Sequence, residues 1–359
     1  MQPLEFKDVG AHLELIGPAV DPERTTVFSI FRDEMYFAPA FFDHYRSIGV
    51  TQFIIVDDGS TDGTTDYLDA QPDCIRIRSD LRYGDPIEVR DPEGKRKKTR
   101  AGIYFKGAIP LFLMPGRFVT YVDADEFLLL PPGVATIGAL AEHLAAAGDV
   151  AAVAPVVEFF PRDLSAFDDP RPPANLADLL RASPCFEAEP LLKLAPGAVR
   201  PEFVAPSKSM ALMARFGIEP EPEAPKGWLN RLLGRSPAPQ PFGSPRHKTP
   251  IVCHSAETYM VGTHNTNRAP SATVMPVIAH FVFTAQFAAK IRRAMDWGSY
   301  ANGSRKYHGY ARLLAAMAEA PDAFLSPAST VYEDPRQLID CGLMLWPETP
   351  ASAAPAQNV

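Results

Sequence analysis

Three carboxylates follow a short apolar segment in Tyr121-Val122-Asp123-Ala124-Asp125-Glu126, and this pattern indicates cation chemistry. Asp123 and Asp125 are two residues apart, so in an extended strand their side chains would point to the same side and could converge on one cation. Mg²⁺ and Mn²⁺ prefer oxygen ligands and are commonly bound by one or two carboxylates together with substrate phosphates. A turn of solvated carboxylates is the alternative, because so short a motif often occurs without function. The apolar strand before it favours the functional interpretation.

A second acidic segment, Val56-Asp57-Asp58-Gly59-Ser60-Thr61-Asp62-Gly63-Thr64, also follows an apolar run. Carboxylates directly after a strand can accept hydrogen bonds from a ribose hydroxyl or a base N–H. Gly59 and Gly63 permit backbone conformations and close approaches that side chains would block. An Asx/Gly turn with a helix cap is the alternative interpretation. A phosphate-binding P-loop is excluded, because the segment lacks the pattern GxxxxGK[ST].

Basic and histidine residues supply further candidates. The run 95–100 (KRKKTR) could bind a diphosphate together with Arg82, although a charge run is more often a solvated loop. His247, His264 and His280 lie in apolar settings. Each alone is better explained as a hydrogen-bonded core histidine, but neutral imidazole is also a common metal ligand, so one of them could complete the shell of the cation.

Strands alternating with helices must position these residues. Short apolar or alternating runs predict buried strands, and aromatic residues at helical spacing predict a helix over 35–49 that ends at Gly49. A second helix is expected from Thr61 or Asp62 towards Leu68, and two more within 285–318. This order predicts an α/β fold with a mostly parallel sheet and helices on both faces, whose ligands collect at the carboxyl ends of the strands. The predicted strands are 26–31, 51–56, 74–78, 118–122 and 150–160.

Composition narrows the class of protein. The 359 residues carry a net charge of −8, which argues against a surface devoted to nucleic acid. The four cysteines show no zinc or disulfide spacing. Neither a signal peptide nor an apolar run of about 18 residues occurs, so a cytoplasmic protein is expected. Eight of the 37 prolines fall within 218–250, which predicts an irregular linker or insertion there.

Several segments together resemble the family 2-like glycosyltransferases. FRDEMYFAPAFFDHYRSIGVTQFIIVDDGSTDGT resembles the opening strand, helix and DDGSTDGT turn of that family, with Asp33-Glu34 where most members have Asn-Glu. FVTYVDADEFLLLP resembles the metal-binding DxD strand. The resemblance continues through VVEFFPRD, RHKTPIV, GTHNT and IAHFVFTAQFAAKIRR and covers most of 25–315, but not the interval 218–250 or the tail.

The resemblance implies a GT-A fold with a helical C-terminal extension and a nucleotide-diphosphate sugar as donor. It further implies an inverting, Mn²⁺- or Mg²⁺-dependent transfer to a hydroxyl of a polysaccharide or lipid-linked acceptor. Carried over by position, Asp57 and Asp58 would contact the nucleoside, and Asp123 and Asp125 would bind ribose, diphosphate and metal, with Asp125 the direct metal ligand. His264 and His280 are secondary candidates for metal or diphosphate contact. Asp33 and Arg82 complete the expected donor-binding residues. The catalytic base belongs after the DxD strand, where Glu158, Asp163, Glu187 and Glu189 lie, with Glu187 favoured.

The expected organisation is a donor-binding core over 1–205, a proline-rich insertion or linker over 206–250, a part completing the site over 251–345, and a flexible tail over 346–359. The insertion is expected to act as a lid or to set acceptor specificity, so deletion of 220–243 should spare donor binding. Peripheral contact with the inner face of the membrane stays open. A catalytically silent nucleotide- or carbohydrate-binding module on the same fold is the alternative function. A nucleotidyltransferase is disfavoured, since FSIFRDEMYF lacks a glycine-rich loop.

Overall fold

A computed structural model of the chain describes residues 3–219, 245–297, 305–320 and 324–347. Short 3₁₀ helices lie at Phe6–His12 and Leu164–Phe167. The strands are β1 (Leu4–Glu5), β2 (Leu13–Ile16), β3 (Thr26–Phe31), β4 (Gln52–Asp57), β5 (Cys74–Ser79), β6 (Pro86–Arg90), β7 (Arg96–Arg100), β8 (Phe118–Tyr121), β9 (Glu126–Leu129), β10 (Ala151–Glu158), β11 (Cys185–Glu187), β12 (Leu192–Lys193), β13 (Glu202–Phe203), β14 (His247–Cys253), β15 (Val277–His280) and β16 (Ser329–Val331). The α-helices are α1 (Ala38–Ser47), α2 (Thr64–Asp69), α3 (Ala101–Leu113), α4 (Ile137–Ala147), α5 (Leu176–Ala182), α6 (Lys208–Arg215), α7 (Phe287–Trp297), α8 (Arg305–Ala318) and α9 (Pro335–Asp340).

A nine-stranded sheet with the order β2-β5-β4-β3-β8-β14-β10-β15-β9 forms the centre of the fold. The pairings make β3, β4, β5, β8, β10 and β15 run in one direction, and β2, β9 and β14 in the other. The expectation of an α/β fold with a large central sheet flanked by helices is confirmed. The carboxyl ends of β3, β4, β8, β10 and β15 therefore share one edge, hereafter the carboxyl edge.

The predicted strands agree with β3, β4, β5, β8 and β10 to within two residues at each end. One expectation about the acidic segment is wrong: β8 ends at Tyr121, and the amide of Glu126 donates to the carbonyl of Asp123 at 3.1 Å. Asp123 and Asp125 thus lie in a turn, so the alternation of an extended strand does not orient them. The basic run is also not a loop, because 96–100 form β7, which pairs with β6.

Both faces of the sheet are buried, which explains why the strands are continuous apolar runs. Phe53 and Ile55 of β4 pack in one core with α1 and α4, whereas Ile54 and Val56 pack in a second core with α3. Successive side chains of a strand point to opposite faces, so one strand supplies both cores. Two hydrophobic layers therefore hold the carboxyl edge in place.

A third hydrophobic cluster joins α6, α7 and α8 to Phe160 and Phe283, which follow β10 and β15. The two helices expected within 285–318 are confirmed, and this cluster carries them to the carboxyl edge. The interval 206–250 begins with α6 and ends in β14, and its residues 220–244 lie outside the described residues, as does most of the tail. Among the described residues, no helix has the length and apolarity needed to cross a membrane.

Candidate functional site

The loops after β3 and β4 are locked together by side chains of the DDGSTDGT segment. Asp57 accepts hydrogen bonds from the Ser60 amide at 2.9 Å and from Thr65 Oγ1 at 2.5 Å. Asp33 has a positive φ of 53° and accepts from the Thr61 amide at 2.7 Å. Both carboxylate oxygens of Asp57 thus accept hydrogen bonds from the segment that follows β4, so this residue fixes the conformation of the loop.

Asp58, in the same loop, is buried and lies near the cationic groups of Arg32 and Arg82. Its carboxylate accepts from the Tyr83 amide at 2.8 Å and lies 3.4 Å from Arg32 Nη1. Burial raises the pKa of Asp58, while the Tyr83 amide and the charges of Arg32 and Arg82 oppose that rise. Gly59 has a φ of +78°, and a Cβ built on it would overlap the Arg82 guanidinium. Asp58, Arg82 and Tyr83 therefore form one wall of the site.

The turn after β8 is clamped by a buried lysine. Lys248 of β14 is 1 % exposed, and its Nζ lies 2.6 Å from Asp123 Oδ2 and 2.5 Å from Glu126 Oε2. Tyr121 Oη donates to Asp123 Oδ1 at 2.5 Å. Desolvation would raise the pKa of Asp123, but Lys248 and Lys106 outweigh it and hold the pKa well below its usual range. Asp123 is thus an anion that already has cationic partners.

Asp125 lies on the other side of this turn, between a histidine and a second lysine. Its Oδ2 is 2.6 Å from Lys290 Nζ of α7 and 3.5 Å from His280 Nε2 at the end of β15. Burial lowers the pKa of His280, but Asp125 outweighs it and the pKa is raised. The pKa of Asp125 is well below normal because Lys290 and His280 outweigh its burial. The structure therefore brings two predicted ligands, Asp125 and His280, together.

Glu34 faces the same space from the loop after β3. Burial raises its pKa from 4.5 to about 7, and the charges of Asp125 and Asp123 add to the rise, while Lys290 and Arg293 oppose it. Within the described ranges its carboxylate makes no hydrogen bond or ion pair. Glu34 is thus an unengaged carboxyl group inside the cluster.

Three further cations surround these carboxylates, namely Lys106, Arg293 and Lys306. The pKa of Lys306 is lowered by burial and by the charge of Lys290. Lys106 is 2 % exposed, with Nζ 4.5 Å from the centre of the Tyr121 ring. In the part of the chain that the structure describes, none of the three forms an ion pair. The cluster therefore has cationic groups to offer an anionic ligand.

His264 lies on the Asp123 side of the cluster, where the charged groups that act on it are Lys248, Lys106 and Asp123. Burial and the charges of Lys248 and Lys106 hold its pKa well below the usual range, so it is an uncharged imidazole. Its Nδ1 is buried with no hydrogen-bond partner among the described residues. His264 can therefore contact a substrate atom but does not share a cation with Asp125 in this arrangement.

The predicted catalytic carboxylates occupy different surroundings. Glu187 forms an ion pair with Lys208 and accepts from Ser326 Oγ at 2.7 Å. Glu158 is in register with His280 and accepts from the Ser209 amide at 2.6 Å. Asp163 caps the 3₁₀ helix Leu164–Phe167. Glu158 thus adjoins the cluster, whereas the contacts of Glu187 are with α6 and the segment before β16.

Whether a divalent cation fits the cluster depends on the oxygen and nitrogen atoms that could coordinate it. No group of three His, Cys, Asp or Glu side chains is arranged around a common point in the described ranges. Asp125 and His280 nevertheless offer an oxygen and a nitrogen 3.5 Å apart, which suits a cation whose remaining ligands are phosphate oxygens and water. The residues fit a cation shared with a substrate and do not form an all-protein cage.

The lysines and Glu34 were missed as site residues by sequence reasoning. Lys248 lies in RHKTPIV and Lys290 in FAAKIRR, both segments that carry the resemblance, so the motifs contained the signal. Lys306 lies on a helix with no motif, and nothing local marks it. The basic run contributes at its end, where Arg100 Cζ lies 5.5 Å from the centre of the Tyr83 ring.

Comparison with known proteins adds no identification: no family model matches the chain, and no curated protein matches its sequence.

Proposed function

We propose that the protein is a glycosyltransferase that uses a nucleotide-diphosphate sugar, with a GT-A arrangement of the sheet. The observation that carries the proposal is the cationic cluster of Lys290, Lys306 and Arg293 beside Asp125 and His280 at the carboxyl edge. Ligands of open α/β sheets bind at this edge. Lys306 and Arg293 form no ion pair among the described residues, so a diphosphate could supply their counter-charge, and a divalent cation shared with Asp125 and His280 would neutralise charge on the leaving group.

The wall formed by Asp58, Arg82 and Tyr83 is where we propose that the nucleoside of this donor binds. Asp58 offers a buried carboxylate oxygen, and Arg82 lies against Gly59 at the same place. Carboxylates in this position accept hydrogen bonds from ribose hydroxyls or base N–H groups. The donor would then extend from Asp58 towards Lys290, which places its sugar near Glu34.

The transfer requires a base for the acceptor hydroxyl. The acceptor oxygen attacks the anomeric carbon while the bond from that carbon to the diphosphate oxygen breaks, and the electron pair stays on the diphosphate. We assign the acceptor proton to Glu34, whose carboxylate makes no hydrogen bond or ion pair among the described residues, whereas Glu158 and Asp163 accept backbone hydrogen bonds and Glu187 pairs with Lys208. A carboxylate that takes this proton contributes roughly 10²–10⁴-fold to such reactions.

The test is a thermal-shift and calorimetric screen of nucleoside diphosphates and nucleotide sugars, with and without Mn²⁺. A bound donor raises the melting temperature by mass action. Lys306→Met should weaken binding of the responding nucleotide about 10-fold or more, since a charge-assisted hydrogen bond contributes about 1.5–3 kcal/mol. Glu34→Gln should keep donor binding and lose transfer. Absence of any nucleotide response would refute the proposal.

The catalytically silent binding module predicts a different result in the same experiment. It would bind a nucleotide sugar, yet Glu34→Gln would change nothing because no transfer or donor hydrolysis would occur in the unmodified protein. Hydrolysis of the responding donor, measured over hours at high enzyme concentration, separates the two functions without knowledge of the acceptor.

A further inference from the structure

A cleft of about 640 Å³ opens beside the candidate site at the carboxyl edge. Its inner wall contains Tyr36, which follows Glu34 by two residues, and Thr284, which follows His280 by four. Asp163 extends the wall beyond the end of β10. The cleft thus adjoins the point at which the acceptor would have to enter.

The charges that line the cleft are balanced. Three arginines and three aspartates contribute to it: Arg162, Arg171, Arg181, Asp163, Asp169 and Asp178. Four of them form local pairs, with Arg171 Nη2 2.6 Å from Asp169 Oδ2 and Arg181 Nη1 2.8 Å from Asp178 Oδ1. The lining therefore presents many hydrogen-bond donors and acceptors but no net charge.

Apolar surface lies between these polar groups. The rings of Pro172 and Pro184 are accessible in the cleft, together with the partly buried ring of Tyr36, while Pro161, Pro173 and Phe283 lie buried behind the lining. The proline rings and the aromatic rings are rigid, so they provide contact area without losing side-chain freedom on binding. The volume falls within the range of about 300–1,000 Å³ that small-molecule sites occupy.

We propose that this cleft is the acceptor site and that it takes an uncharged oligosaccharide, an inference that rests on the proposed function. A sugar ring has apolar faces and a rim of hydroxyls that both donate and accept hydrogen bonds, which matches the lining of rigid apolar surface and balanced Arg and Asp side chains. The lining has no net positive charge to compensate the carboxylates of an acidic glycan, and its many charged groups would have to be desolvated to accommodate an acyl chain.

Ala182 offers a way to fill the cleft without disturbing the core. It is exposed, lines the cleft and is the last residue of α5. Ala182→Trp places a large ring in the cleft. The matched control is Ala147→Trp, since Ala147 is the exposed last residue of α4, whose chain leads to the opposite edge of the sheet. Both variants should melt within a few degrees of the unmodified protein.

The experiment measures binding of a panel of neutral oligosaccharides of several hexoses and of their uronic-acid counterparts, by saturation-transfer NMR on the full chain. We expect at least one neutral glycan to bind, its signal to be lost or reduced at least 10-fold by Ala182→Trp, and to be retained by Ala147→Trp. Binding of acidic glycans alone, binding of none, or binding unaffected by Ala182→Trp would each overturn the inference.

The nucleotide-induced thermal shift, measured on the same samples, distinguishes a failure of the acceptor-site proposal from a failure of the proposed function. If Ala182→Trp retains the nucleotide-induced thermal shift and loses glycan binding, both proposals stand. A retained shift with unchanged glycan binding refutes the cleft alone. If the unmodified protein shows no nucleotide shift, the proposed function fails, and with it the acceptor role of the cleft.

Discussion

Lys248 is the residue whose removal should test the electrostatic structure of the site most directly. Its side chain is 1 % exposed, and its Nζ lies 2.6 Å from an oxygen of Asp123 and 2.5 Å from an oxygen of Glu126. Lys248→Met preserves much of the side-chain length and removes the charge. Glu126, itself 1 % exposed, would then be a buried carboxylate without its cation. Breaking such a buried pair costs about 3–5 kcal/mol of unfolding free energy.

The loss should depend on pH. Burial raises the pKa of Glu126, and the charge of Lys248 opposes that rise, so the pKa increases further in the variant. A carboxyl group whose pKa is higher in the folded than in the unfolded state destabilises the fold once the pH exceeds the unfolded value. The destabilisation of Lys248→Met should therefore be largest near pH 8 and diminish as the pH falls towards about 4.5.

Urea unfolding followed by circular dichroism at pH 5.5 and 8 measures the loss of unfolding free energy and its dependence on pH. Adding Glu126→Gln should restore most of the lost stability, because the amide oxygen can still accept from the Asp123 amide. Lys95→Met, which breaks an exposed surface pair with Glu93, should cost far less stability than Lys248→Met, because solvent screens such a pair. A loss below about 1 kcal/mol for Lys248→Met at pH 8, or one equal at both pH values, would show that Lys248 does not neutralise a buried Glu126 carboxylate.

Three further predictions concern the loops and the cation. Glu34→Gln should stabilise the metal-free protein at pH 8 by up to about 3 kcal/mol, because a pKa raised from 4.5 to about 7 disfavours the folded anion; urea titrations should show the gain vanishing towards pH 4.5. Gly59→Ala should cost more stability and nucleotide affinity than Gly63→Ala, since both have positive φ but only the first Cβ meets Arg82; equal effects would contradict the close approach. Mn²⁺ calorimetry should detect tight binding only with a nucleoside diphosphate present, and tight binding of Mn²⁺ alone would show a complete protein cage.

The local sequence was sufficient for the elements that surround the acidic segments. Runs such as TVFSIF and QFIIVD are apolar on both faces, and in this chain such runs belong to strands buried between two helical layers. Gly49 was predicted to end the first helix, and it has a φ of +87° immediately after Ile48, the residue that caps α1. These features depend on neighbouring residues in the chain, which is why pattern and turn chemistry predict them.

The orientation of the acidic residues was not determined in this way. The prediction that Asp123 and Asp125 project together depended on a strand continuing past Tyr121, but the chain turns there and its two carboxylates contact different lysines. Lys248 is 125 positions beyond its partner Asp123, and Lys290 is 165 positions beyond its partner Asp125. No window of the sequence contains these pairs.

The local sequence is thus enough to place the two acidic segments at the carboxyl edge of the sheet, because they directly follow apolar strands. The tertiary contacts determine which carboxylates form ion pairs, which pKa values are shifted, and that the Glu34 carboxylate has no partner among the described residues. The reason is physical: burial changes the cost of a charge, and the partners that offset the cost come from β14, α7 and α8, which reach the edge through packing far from the acidic segments. Asp125 and Glu34 carry the same kind of group, and their surroundings move their pKa values in opposite directions.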